Sequence, residues 1–105
     1  MRQSPRLKAK ISVRYRSDSN MAAGEGFDLS ERGICFSGES IFPVGTKLEI
    51  EFRIDSPHAE WFRTRGIVRH LEEDRMGVEF QQIGDADRVR ILQAIYHELA
   101  LRRHA

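Results

Sequence analysis

Apolar and polar side chains alternate along most of this chain, and the alternation marks out its strands. From Lys10 to Arg16, Ile11, Val13 and Tyr15 share one face while Ser12, Arg14 and Arg16 take the other. That is the pattern of a strand with one face buried. Residues 17–26 are rich in Ser, Asp, Asn and Gly and read as a loop leading into a strand near Gly26 to Ser30. Gly33 restarts the chain, with Ile34 and Phe36 pointing one way, and a second loop holds Gly38 and Pro43-Val44-Gly45. Leu48, Ile50, Phe52 and Ile54 then alternate with Lys47, Glu49, Glu51 and Arg53, the cleanest strand of all, until Asp55-Ser56-Pro57-His58 breaks it. Trp61 to Glu73 is a long β-rich stretch in which Gly66 signals a bulge or bend. Asp74-Arg75 turns the chain, and Met76, Val78 and Phe80 form the last alternating strand.

The period changes at Asp85. Val89, Leu92, Ile95, Tyr96 and Leu99 recur at helical spacing and predict a helix over 85–105 whose apolar stripe packs on the sheet. Asp85 and Asp87 suit its first turn and Arg102 and Arg103 its last, complementing the helix dipole. The sustained heptads of a coiled coil are missing. Short antiparallel strands followed by one helix predict a mainly β fold, a six-stranded barrel with the helix over one opening. Closure would also remove exposed sheet edges.

A chain of 105 residues is one domain with one small core. Its net charge of +1 hides an asymmetry: residues 1–16 carry six bases and no acid, leaving eleven bases against 16 acids elsewhere. We therefore divide the chain into a basic arm over residues 1–9 and a barrel domain over 10–105. A basic arm on an acidic body points to an anionic partner, although it also serves solubility. No apolar run approaches the roughly 18 residues of a membrane span, so no membrane insertion is expected. The start, Met-Arg-Gln-Ser-Pro, lacks the apolar stretch of a secretory signal. The single cysteine, Cys35, excludes an internal disulfide and fits a cytoplasmic location. His58, His70, His97 and His104 show no metal-ligand spacing with one another or with Cys35. No Ser-His-Asp set or glycine-rich phosphate loop emerges, so the expectation is a non-enzyme without metal or cofactor.

Two short motifs carry ligand chemistry. Arg2-Gln3-Ser4-Pro5-Arg6 places two guanidinium groups four residues apart, and Pro5 favours an extended Ser4. Each guanidinium offers a planar donor fork for phosphate oxygens or guanine O6 and N7. Asp28-Leu29-Ser30-Glu31-Arg32-Gly33 adds a carboxylate able to accept from guanine N1–H and N2–H2, a hydroxyl, a further cation and a glycine that permits close approach or positive φ. Each motif has a plainer reading: a ligand-free Asx or Ser turn for the second, a frayed terminus for the first. Trp61, Phe62, Arg63 and Arg65 interleave aromatic and basic groups, which can stack bases or cap a barrel core.

The two motifs in this order and at this distance resemble the PilZ family, whose members bind cyclic di-GMP. The resemblance runs from Arg2 to the final helix and takes in Arg65-Gly66-Ile67-Val68 and Gly77-Val78-Glu79-Phe80. It implies a six-stranded barrel with a C-terminal helix, with cyclic di-GMP bound across the barrel's outer face. On that resemblance Arg2 and Arg6 would hold guanine and phosphate groups, Asp28 and Ser30 a guanine and its surroundings, and Gly33 the turn. Gln3 and Arg32 are additional candidates. The expected partners are cyclic di-GMP and a downstream protein, in motility, adhesion or biofilm formation, with no DNA or RNA. The arm would be mobile without ligand and wrap over the barrel with it. Two other classes compete: a PilZ-like adaptor that works without nucleotide, and a small barrel that binds single-stranded nucleic acid.

Overall fold

A computed structural model describes residues 5–18, 20–57 and 59–103 of the chain. Six strands run β1 (Ile11–Arg16), β2 (Ala22–Leu29), β3 (Gly33–Gly38), β4 (Lys47–Ile54), β5 (Phe62–Glu72) and β6 (Arg75–Gln81), followed by the helix α1 (Asp85–Arg103). They close into a barrel in the order β1-β2-β3-β6-β5-β4, and every pairing is antiparallel.

Strand β2 begins four residues earlier than the loop reading of 17–26 allows. Its first half, Ala-Ala-Gly-Glu-Gly, has the composition of a loop because the barrel leaves no room there. A Cβ on Gly24 would lie 2.6 Å from the Ser37 carbonyl oxygen, 3.2 Å from the Tyr15 ring and 3.3 Å from that of Phe36. Large neighbours fill the space that β2 gives up. Gly66, expected to mark a bulge, pairs regularly with Leu48 and Phe80; its Cβ would meet Val78 at 2.4 Å. The β5 irregularity falls instead between Val68 and His70.

The inward positions of all six strands form one core. At one end of the barrel, Tyr15 packs edge-on against Phe36 and Phe42, with ring centroids 4.7 and 6.2 Å away. The Tyr15 hydroxyl donates to the Ser40 carbonyl (2.6 Å) and accepts from the Ser40 N–H (2.9 Å), pinning the β3–β4 loop over that end. At the other end, Phe52 stacks on Phe62 and Phe80, and α1 closes the opening with Ile91 and Ile95, both fully buried. Arg90 fastens the helix there, over the Phe62 ring at 5.1 Å and 2.9 Å from Glu60.

The helix therefore buries only part of the stripe its sequence suggested. Ile91 and Ile95 point into the core, Ala94 and Leu99 pack beside them, and Val89 and Tyr96 remain exposed. Trp61 does not cap the core either: it lies on the outer wall with the Arg14 and Arg53 guanidiniums over its ring at 5.0 and 5.2 Å. The basic arm is anchored from Leu7 onward. Leu7 is fully buried and exchanges two backbone hydrogen bonds with Leu29, of 2.8 and 2.9 Å, while Ala9 packs against the core. No helix among the described residues is long and apolar enough to cross a membrane.

Candidate functional site

A polar groove of about 260 Å³ opens on the outer wall formed by β2, β3, β6 and β5. Its construction starts from a β-bulge. Gly26 pairs with Phe36, but Asp28 pairs with Cys35, so Phe27 is an extra residue opposite the β3 ladder. Side chains alternate along a strand, and one inserted residue exchanges the faces of everything after it. Before the bulge Gly24 and Gly26 face the core; after it Leu29 does, and Asp28 is turned outward. The Arg75 guanidinium lies over the Phe27 ring at 4.5 Å and covers the bulge from outside. A second shift, between Val68 and His70, works the same way on β5.

The two bulges align one outward row across four strands. Asp28 pairs with Cys35, Cys35 with Gly77, and Gly77 with His70. Strands lie about 4.8 Å apart, so the row spans about 14 Å. Its middle members are small, and a Cβ on Gly77 would come within 3.2 Å of the His70 Cβ. Small residues between larger ones leave a trough. Arg6 and Asp28 form one wall, an ion pair 3.5 Å apart joining the arm to the bulge. Arg69, paired with Glu79 at 3.2 Å, and His70, 3.5 Å from Glu72, form the other.

The Ser30–Gly33 turn makes the rim. Ser30 N–H donates to the Gly33 carbonyl (2.9 Å), and the Ser30 hydroxyl accepts from the Arg32 N–H (3.1 Å). This is the Ser turn that the motif could form without a ligand. It fixes the hydroxyl oxygen within the turn while leaving its proton free to donate. Phe80 N–H donates to the Arg32 carbonyl at 2.8 Å and ties the turn to β6. Gly33 lines the groove but does not serve positive φ. Its φ is ordinary, and its Cβ position lies 2.2 Å from the Val78 carbonyl oxygen, so the glycine lets β3 start tight against β6. Burial, reinforced by the Asp28 charge opposite, pushes the Cys35 thiol above its ordinary pKa, which argues against a nucleophile.

Arg6, Asp28, Ser30, Arg32 and Gly33 thus line one groove although they come from the arm, a strand and a turn. Arg2 and Gln3 lie outside the described residues. Arg69, His70, Gly77 and Glu79 join the lining without having been named as ligand contacts. Plain alternation turns Arg69, Gly77 and Glu79 outward, whereas His70 follows only once the β5 bulge is known.

These features define a class: a small closed barrel whose outer wall carries a polar groove beside a basic arm. The model of the PilZ domain family matches residues 1–97, and the chain belongs to that family. No curated protein sequence matches it. Among solved structures it is similar to the Bacillus subtilis inhibitor of motility, MotI/DgrA, with a TM-score of 0.81 at 20% identity. That match covers 98% of this chain and 53% of the other, so the chain spans about half the length of that relative. It is also similar to the PilZ domain of Escherichia coli YcgR with c-di-GMP (TM-score 0.77, 13% identity, 98% and 95% covered). The PilZ domain of CeSA from a cellulose-synthesizing bacterium matches with a TM-score of 0.68 and 17% identity, over 90% and 97% of the two chains.

Proposed function

We propose that this chain is a cyclic di-GMP receptor whose groove on β2, β3, β6 and β5 holds the dinucleotide and whose bound form is read by a downstream protein. One observation carries the reading: the Phe27 bulge turns Asp28 outward to meet Arg6, joining the two ligand motifs of the family across 22 residues at a single groove. Solved relatives of the same fold include YcgR in complex with c-di-GMP. On binding, Arg6 leaves Asp28 for a phosphate, freeing the carboxylate for the N1–H and N2–H2 edge of guanine. An exposed ion pair is worth little, below about 1 kcal/mol, so the exchange is easy. Ser30 donates its hydroxyl proton to the ligand and Arg32 adds charge from the rim. Arg2 and Gln3 close over the ligand from the arm. Leu7 is already anchored without a ligand, so the chain from Leu7 onward keeps its place on binding.

Calorimetric titration with cyclic di-GMP, against GTP and cyclic GMP, tests this. Binding of the dinucleotide alone is expected, and Arg6→Ala weakens it about tenfold or more, from the loss of one charge-assisted bidentate contact. Retained affinity in Arg6→Ala removes that residue from the site. An intact chain that ignores micromolar dinucleotide ends the proposal.

A further inference from the structure

The core takes only one face of α1 and leaves a second apolar stripe uncovered. At 100° per residue, Val89 and Tyr96 lie roughly 100–160° around the helix from Ile91 and Ile95. They are 49% and 57% exposed, and half-buried Leu92 and Leu99 continue the stripe towards the barrel. The four residues follow the i, i+3, i+7, i+10 spacing of a helix–helix seam. Charged residues flank both ends: Asp85 opens the helix and Arg103 ends it, on the same side as Val89 and Tyr96. Neither makes an ion pair among the described residues.

We infer that this stripe is a contact between two copies of the chain, with the two helices antiparallel about a twofold axis at the level of Ala94. The sequence is self-complementary in that one register. Val89 and Leu99 are equidistant from Ala94, as are Leu92 and Tyr96, and Asp85 and Arg103. In the antiparallel pair each residue therefore faces its counterpart: apolar on apolar along the middle, a carboxylate on a guanidinium at both ends. A parallel pair would set Asp85 beside Asp85 and Arg103 beside Arg103, like on like. A twofold contact uses the same patch on both copies, as this stripe does. The helix, about 28 Å long, gives a seam of modest size, so the dimer is a weak, concentration-dependent one.

Sedimentation of the full chain without nucleotide, across a dilution series, tests the contact independently of the ligand reading. Reversible monomer–dimer exchange is expected. Tyr96→Asp gives monomer at all concentrations with an unchanged circular dichroism spectrum, while Leu101→Glu, exposed but off the seam, leaves the dimer intact. Asp85→Arg and Arg103→Asp each raise the dimer dissociation constant about tenfold, since two symmetric pairs turn repulsive. The double exchange restores it. The helix dipole alone predicts the opposite order, with the double exchange weakest. A wild-type chain that stays monomeric at the highest concentration, or a double exchange weaker than both singles, overturns the inference.

Discussion

Gly33 and Arg6 border the same groove, yet they answer to different forces and should fail differently. A methyl group at position 33 would lie 2.2 Å from the Val78 carbonyl oxygen, and backbone does not move aside as a side-chain tip does. Gly33→Ala should cost about 1–3 kcal/mol of overpacking and lower the urea midpoint, with ligand affinity falling because the Ser30–Gly33 turn shifts. Arg6, 71% exposed, contributes little to the fold, so Arg6→Ala should lose binding at an unchanged midpoint. An unchanged midpoint in Gly33→Ala would refute the steric account of the glycine. Tyr15 gives a third residue-level test. Burial raises its hydroxyl pKa above the ordinary 10.0, so the hydroxyl stays protonated in the folded state longer than in the unfolded one. The stability it provides is complete below pH 10 and declines as the pH rises through the folded pKa. Tyr15→Phe should lose about 1–3 kcal/mol at neutral pH, from the unpartnered Ser40 N–H, together with the alkaline decline that Tyr15 causes. Chemical denaturation across pH 8 to 11 compares the two proteins; parallel curves would exclude Tyr15 as the source.

Among the elements, the β2 bulge governs where the chemistry points. Deleting Phe27 would restore unbroken alternation in the native register: Asp28 would follow Gly26 directly and stay outward opposite Cys35, and Leu29 would stay inward opposite Ile34. Leu29 is fully buried and hydrogen-bonded to Leu7, so the deletion should leave the arm anchored. Protection at Leu7 equal to wild type, with dinucleotide binding retained, is the expected result; faster amide exchange there would show that the bulge does not set the faces. The bulge also marks the limit of what was legible. Strands β1, β4 and β6 announce themselves because their inward faces are large and apolar, from Ile11 to Phe80. Strand β2 hides because its inward residues are Gly24 and Gly26, chosen by how closely Tyr15, Phe36 and Ile34 approach. The helix was legible as a helix but not in its orientation: Ile91 and Ile95 rather than Val89 and Tyr96 face the core, and only the position of the barrel decides between them. The lining of the candidate groove was half legible. Arg6, Asp28, Ser30 and Arg32 follow from motifs, whereas Arg69, His70 and Gly77 enter through register, which pairs residues far apart in sequence.

The groove draws on four of the six strands and on the arm, so a ligand there acts on the barrel as a whole. Asp28, Cys35, Gly77 and His70 stand on neighbouring strands, and the Leu7–Leu29 bridge joins the arm to the same wall. A molecule held between Arg6 and that row would tie β2, β3, β6 and the arm together, and an unfolded chain would offer it nothing comparable. Binding to the native state alone stabilises by an amount set by concentration over the dissociation constant, about 2.7 kcal/mol at a hundredfold excess. For a domain of this size that corresponds to a rise in Tm of about 10 °C. Cyclic di-GMP should produce such a rise in a thermal melt, graded with its concentration, while GTP and cyclic GMP at the same level should not. Arg6→Ala should blunt the rise at a fixed concentration without lowering the ligand-free Tm. If the ligand-free Tm falls as well, Arg6 supports the fold rather than the ligand, and if GTP matches the dinucleotide, the groove reads phosphate charge rather than two guanines.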